Sequence, residues 1–153
     1  MTLSALHHVT LLVNDIAKAA WFYGEVLQLP ANPRPDVDFP GLFYRCGEQQ
    51  IHIIVTPYMP PCDELVLALS DGSTGTRRYI HRHAAFVAPD LPAVRQRLLD
   101  HGVEILIDPQ HVDPNDSLTQ NLVAAWMRMY NQVPVFCLDP FGNLIELVPG
   151  RAA

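Results

Sequence analysis

Basic residues are scarce in this chain. Ten lysines and arginines among 153 residues stand against 16 aspartates and glutamates and leave a formal charge of −6 at neutral pH. Without a basic stripe nothing neutralises a phosphate backbone, so nucleic acid is excluded as the expected partner. Cysteine is scarcer still. Cys46, Cys62 and Cys137 are odd in number and form no CxxC pair, which argues against a disulfide framework and against a cysteine-rich zinc site. Cys46 and Cys137 fall in apolar stretches and read as small buried hydrophobes. No apolar run nears the roughly 18 residues a membrane helix needs, so no membrane partner is expected. Residues 1–6 show no basic region followed by an apolar stretch, so no signal peptide is expected and the cytoplasm is the expected location. Charge of either sign is sparse, 17% beside 49% hydrophobic residues, which is too apolar a balance for disorder. The length fits a single domain over residues 1–153 with a core of its own.

What the chain does have is a repeat of itself. His8-Val9-Thr10-Leu11-Leu12-Val13-Asn14-Asp15-Ile16 matches His83-Ala84-Ala85-Phe86-Val87-Ala88-Pro89-Asp90-Leu91, each a histidine, an apolar run and an Asp seven positions on. The runs are short and rich in β-branched or aromatic residues, so they read as strands. After each Asp the apolar spacing turns helical: Ile16, Ala20, Tyr23 and Leu27, then Leu91, Val94 and Leu98. Asp15 and Asp90 suit helix N-caps, Pro92 is tolerated in a first turn, and Gly102 suits a helix end.

Both halves close alike. Gly41–Cys46, a turn at Gly47-Glu48 and Gln50–Val55 form one hairpin; Val133–Leu138, a turn over Asp139–Gly142 and Asn143–Val148 form its counterpart. The order is strand, helix, then two or three strands, twice: a duplicated α+β module. Module one covers about 5–56, a Pro- and Gly-rich linker about 57–79, and module two about 80–150. The linker has room for a short element over 65–69. Module two carries an insertion at about 109–132, in which a Ser117/Gln120 capping box and apolar spacing predict a helix over 118–129. That helix either buries Trp126 and Met129 against the rest of the domain or a partner subunit, which is the favoured reading, or closes over a cleft as a lid.

Alternate side chains share a strand face. Val9, Leu11 and Val13 suit the helix side, which leaves His8, Thr10 and Leu12 opposite; Ala84, Phe86 and Ala88 leave His83, Ala85 and Val87 in the same way. His52 and Glu146 take matching places in the closing hairpins. One histidine in a strand is ordinarily a hydrogen-bonded core or rim group. Four potential ligands at repeat-related positions, His8 with His83 and His52 with Glu146, are a different matter, and imidazole with carboxylate suits a borderline divalent cation such as Zn, Ni, Fe or Mn. Of the other candidates, His7 reads as a surface group on the face away from His8. His81 reads as a supporting or substrate-binding group, Arg77 and Arg78 as solvated or anion-binding. Phe43 and Tyr44 suit a wall, and Asp139, Pro140, Gly142 and Asn143 suit a turn.

The stretch His8 to Asp15 with Trp21-Phe22-Tyr23, and Asp139-Pro140-Phe141-Gly142-Asn143-Leu144-Ile145-Glu146, resemble the vicinal oxygen chelate superfamily of glyoxalase I, bleomycin-resistance proteins, fosfomycin-resistance enzymes, methylmalonyl-CoA epimerase and extradiol dioxygenases. The resemblance implies two βαβββ modules in tandem, forming an incomplete barrel around a central cleft, in a homodimer. It implies one divalent metal ion held by His8, His83 and Glu146, with His52 at a fourth position where glyoxalase I carries a glutamate. The function it implies is a metal-dependent, glyoxalase-like lyase or isomerase. Its small substrate would chelate the ion through two neighbouring oxygens, with Glu146 or His52 moving the proton. An Fe(II) ring-cleaving dioxygenase is the alternative, with His52 as a free acid–base group. A non-catalytic, drug-holding protein is the third reading.

Overall fold

The computed structural model describes residues 4–58, 83–108, 110 and 117–150. The chain divides into two compact units: Met1–Arg82 with Pro140–Asn143, and His83–Asp139 with Leu144–Ala153. The linker, with the element expected over 65–69, lies outside the described residues, as do the side chains of Ser117 and Gln120. Among the described residues no helix is long and apolar enough to cross a membrane. The architecture is α+β, with one small mixed sheet in each unit.

The first unit runs β1 (His8–Val13), α1 (Ile16–Ala19), a π-helical continuation (Ala20–Val26), β2 (Gly41–Cys46) and β3 (Gln49–Val55). Its strand order is β1-β3-β2, with β1 parallel and β2 antiparallel to β3. Asp15 opens the helix as expected, its carboxylate accepting from the N–H groups of Ala17 at 2.9 Å and Lys18 at 3.0 Å. The helix departs from simple α spacing. From Ala20 the turns widen, and Leu27 N–H reaches back five residues to the Phe22 carbonyl at 2.8 Å. Gly24 lies in this stretch, where a Cβ would stand 3.3 Å from the Tyr44 hydroxyl, so the bare backbone lets the helix settle on β2. Ala19, Phe22, Tyr23 and Val26 then bury with Val13, Tyr44, Ile51 and Ile53 between helix and sheet.

The first unit has two strands after its helix where the duplicated pattern allows three. The third is reduced to one bridge, Ala31 to Tyr44, flanked by Asn32 N–H to Phe43 O and Arg45 N–H to Pro30 O, both at 2.8 Å. Pro30 and Pro33 lack the N–H that a longer ladder needs, which explains the truncation.

The second unit runs β4 (His83–Ala88), α2 (Leu91–Asp100), β5 (Ile105–Ile107), α3 (Ser117–Tyr130), β6 (Val135–Leu138) and β7 (Leu144–Pro149), in strand order β4-β7-β6-β5. Here the third strand is present as β5. Asp90 caps α2 by accepting from Ala93 N–H at 3.0 Å, and Gly102, at φ +69°, ends it. The burial of β4 alternates strictly, with Ala84, Phe86 and Ala88 inside and His83, Ala85 and Val87 out. Arg95 on α2 is buried and grips Asp108 with both arms of its guanidinium.

The inserted helix α3 extends one residue beyond each end of the expected 118–129. Trp126 is buried as expected, its ring 5.5 Å from that of Phe136 on β6. Met129 is not buried: 61% of its surface is exposed, with Met127 and Tyr130 also open. Residues 126 and 129 lie about 60° apart around a helix, close enough to suggest one stripe, but only Trp126 reaches the sheet.

Candidate functional site

Register decides which side chains meet. In the first unit Thr10 and Phe43 stand opposite His52 on its two neighbouring strands; in the second, Ala85 and Phe136 stand opposite Glu146. The two sheets are therefore in the same register at the candidate positions. Each has a histidine two residues before the β1 or β4 position paired with the polar group, and a phenylalanine across the hairpin from it.

In the first unit His52 sits on the central strand between two rings. The imidazole of His8 stacks on it at 4.1 Å and 13°, and the phenyl ring of Phe43 at 3.7 Å and 4°. His52 Nε2 lies 2.9 Å from Gln50 Oε1, so this nitrogen donates to the amide oxygen in one tautomer. Burial holds the His52 pKa below the ordinary histidine value, and the neighbouring His8 and His7 add to the lowering. A neutral imidazole results, the form that can ligate a cation or take up a proton.

Strand alternation alone places His7 on the face away from His8. Its Nδ1 instead lies 2.9 Å from His8 Nδ1, with the rings edge to face. β1 begins at His8, so His7 is outside the strand's alternation and its side chain is free to turn alongside. The two rings need opposite tautomers at these nitrogens, one donating and one accepting.

In the second unit His83 Nε2 lies 2.8 Å from Glu146 Oε2, so the imidazole donates to the carboxylate. Glu146 is 8% exposed, while His83 lies at the open edge of the pair with Phe136 beside it at 5.9 Å. A carboxylate in a strand this apolar needs a partner, and His83 provides one. Because Phe136 shares a face with Glu146, Trp126 brings α3 over the face that carries this pair rather than over the α2 side.

The four predicted ligands thus appear as two pairs, His8 with His52 and His83 with Glu146. Among the described residues no group of three or more His, Cys, Asp or Glu is arranged to hold a metal ion. By residue type the donors fit one: imidazole and carboxylate suit a borderline divalent cation, and each pair, within its own unit, brings two such groups together. His81, Arg77 and Arg78 lie outside the described residues. The turn assignment holds for Gly142, at φ 86°, while Asn143 does more: its side-chain N–H donates to the Leu12 carbonyl at 3.0 Å. Tyr44 turns to the helix side of its sheet and Phe43 to the histidine side, so of the two only Phe43 lines the site. Sequence reasoning missed Gln50 and Phe136. Both stand at repeat positions beside a polar strand residue, so aligning the hairpins as closely as the opening strands would have exposed them.

A family model described as the Glyoxalase/Bleomycin resistance protein/Dioxygenase superfamily matches residues 5–147. No curated protein sequence matches the chain. Among solved structures it is similar to a provisionally assigned glyoxalase family protein from Bacillus anthracis (23% identity, 99% of this chain and 98% of that one, TM-score 0.65). A lactoylglutathione lyase from Agrobacterium tumefaciens is also similar (19% identity, 97% and 96%, TM-score 0.58). So is a glutamate-to-glutamine mutant of the fosfomycin resistance protein FosX from Listeria monocytogenes, complexed with Mn(II) and 1S,2S-dihydroxypropylphosphonic acid (17% identity, 97% and 94%, TM-score 0.63). At these identities the likeness is one of fold.

Proposed function

The chain belongs to the glyoxalase/bleomycin resistance protein/dioxygenase superfamily, and from that premise we propose that it is a divalent-metal-dependent lyase or isomerase whose small substrate binds the ion through two neighbouring oxygens. The observation that carries this reading is the shared register of the two sheets. It sets His52 and Glu146 at equivalent positions, each with a histidine from the opening strand beside it. Two related solved structures bear names of metal-linked or small-molecule chemistry, the Mn(II) complex of FosX and the lactoylglutathione lyase.

His8, His52, His83 and Glu146 would hold the ion. When bound, a divalent cation supplies Lewis acidity toward a carbonyl or hydroxyl oxygen. The chain's own residues do the rest. Glu146, screened from solvent and oriented by His83, is the carboxylate that takes a proton from substrate carbon or oxygen and returns it. His52, held neutral between His8 and Phe43, either completes the ligand set or acts as the second proton carrier. Phe43 and Phe136, each across the hairpin from one of these groups, limit water around them.

Elemental analysis of purified protein, followed by titration of the metal-free chain with Zn(II), Ni(II), Mn(II) and Fe(II), tests the proposal. One ion per chain, lost in Glu146→Gln and His83→Ala, supports it. The hemithioacetal of methylglyoxal and glutathione is then the first substrate to try. Fe(II)-dependent oxygen uptake with catechols would replace the lyase reading by a dioxygenase. A non-catalytic ligand-holding role is favoured by one observation, the lack of a three-donor group among the described residues. It becomes the better account if wild-type protein takes up none of the four metals.

A further inference from the structure

Arg34 stands in the loop before β2, between Pro33 and Pro35, and among the described residues it has no carboxylate partner. Its guanidinium carbon lies 5.1 Å from the ring centre of Phe39 and 6.0 Å from that of Phe43. Its Nε and Nη2 are buried, and neither has a hydrogen-bond partner among the described residues. Asp36 and Asp38 are two and four positions away in sequence, yet the guanidinium pairs with neither. Arg95 shows the ordinary solution in this same chain, both arms of the fork closed on Asp108.

Burying two donors of a permanently charged group unpaired is costly, and native proteins leave few such groups without a reason. The guanidinium fork matches a carboxylate, phosphate or phosphonate edge in shape and charge, and a neutral acceptor satisfies it more weakly. The position of Arg34 supplies the reason. Phe43 carries Arg34 on one side and stacks on His52 at 3.7 Å, so a single phenyl ring links the unpaired cation to the candidate catalytic histidine. Arg34 as a whole is half-buried, so an anion approaches from its open side and reaches the covered Nε and Nη2 as the groups over them move aside.

We infer that Arg34 receives an oxyanion, a carboxylate or a phosphate or phosphonate group, carried by the substrate of the site built on His8 and His52. The inference deepens the proposed function and rests on it for the identity of the anion as a substrate group. The substrate class becomes a small molecule with two neighbouring oxygens for the metal and a separate anionic group for Arg34.

The test has two arms. In the first, the Nε–H signal of Arg34 is followed by ¹⁵N NMR in metal-free wild-type protein, assigned through its loss in Arg34→Lys. Acetate and methylphosphonate are titrated to tens of millimolar against sodium chloride at equal ionic strength. A saturable shift with either anion and none with chloride is expected, and the larger response tells carboxylate from phosphonate or phosphate. No saturable shift with either anion, or an equal shift with chloride, overturns the inference. In the second arm, Mn(II)-loaded protein is titrated with glycerol, glycerate and glycerol 3-phosphate. Wild type is expected to prefer an anionic diol over glycerol by roughly 10-fold or more, the scale of a charged hydrogen bond. Arg34→Gln is expected to lose that preference while holding glycerol as before. Equal affinity of wild type for all three diols also overturns the inference. Failure of wild type to take up Mn(II) or any other divalent ion overturns the metal reading alone, because the first arm is read without metal.

Discussion

Replacing Trp126 with alanine separates an anchored α3 from a hinged one. The indole is 5% exposed and lies 5.5 Å, at 37°, from the ring of Phe136, itself 1% exposed. Removing a buried tryptophan side chain costs about 3–5 kcal/mol where the site cannot collapse. Of this, about 0.5–1.5 kcal/mol belongs to the aromatic pair, and a Trp126→Ala/Phe136→Leu double-mutant cycle isolates that part. For a chain of this size each kcal/mol moves Tm by about 2–4 °C, so the full loss is roughly 6–20 °C. The assay is urea and thermal denaturation followed by far-UV circular dichroism, with amide hydrogen exchange over residues 125–130. Exchange there should be slow in wild type and fast in the variant, and Trp126→Phe should recover more than half of the stability. A loss below about 1 kcal/mol, with exchange unchanged, would refute the packing of α3 on Phe136. If α3 were a lid that seats only on substrate, exchange at residues 125–130 would be fast in the free protein and slow once ligand is added.

Glu146→Gln should lower metal uptake or activity far more than His7→Ala while leaving the circular dichroism spectrum intact; equal behaviour of the two variants would misplace the site. Asp15→Ala and Asp90→Ala should each cost about 1 kcal/mol in urea unfolding, since each carboxylate accepts from first-turn N–H that the helix itself leaves without a partner. Burial, with Asp139 adding to it, pushes the Cys137 thiol from its ordinary 9.0 up to about 12. Its folded value thus lies above its unfolded one, so the associated stability is complete below pH 9 and drains away as the pH climbs toward 12. By pH 10 the loss is about 1.4 kcal/mol. Unfolding of wild type and Cys137→Ala compared at pH 8 and pH 10 reads this as a steeper fall for wild type; parallel falls would contradict the buried-thiol account.

Much of the fold was legible because the repeat speaks in short-range signals. A histidine, an alternating run and a capping Asp specify strand and helix within some fifteen residues, and the burial of β4 follows the alternation residue by residue. The pairing of β1 with β3 and of β4 with β7 lies beyond these local signals, because an apolar face says which side chains point inward and not which strand is the neighbour. Three further features were not accessible this way. The widened turns after Ala20 depend on Tyr44 lying against Gly24, a contact between distant residues. The exposure of Met129 depends on how far around α3 the sheet extends. Arg34 is marked by two buried donors that meet no hydrogen-bond acceptor among the described residues, and a sequence shows neighbours without showing which of them fail to meet.

The polar positions of the candidate site were legible in the sequence and their surroundings were not, and the reason is the same. Duplication copies positions, so a polar residue breaking an apolar strand at His52 points to its counterpart at Glu146. It does not copy environment. Around His52 the copy has gathered two further histidines and a stacked phenylalanine, and burial first, then His8 and His7, hold the imidazole's pKa below its ordinary value. Around Glu146 it has left one histidine to compensate a buried carboxylate and has brought α3 over the adjoining phenylalanine. The halves are alike in register and differ in chemistry: one sheet gathers imidazoles stacked with a phenyl ring, the other closes an imidazole on a carboxylate, so the same strand position serves two kinds of polar group.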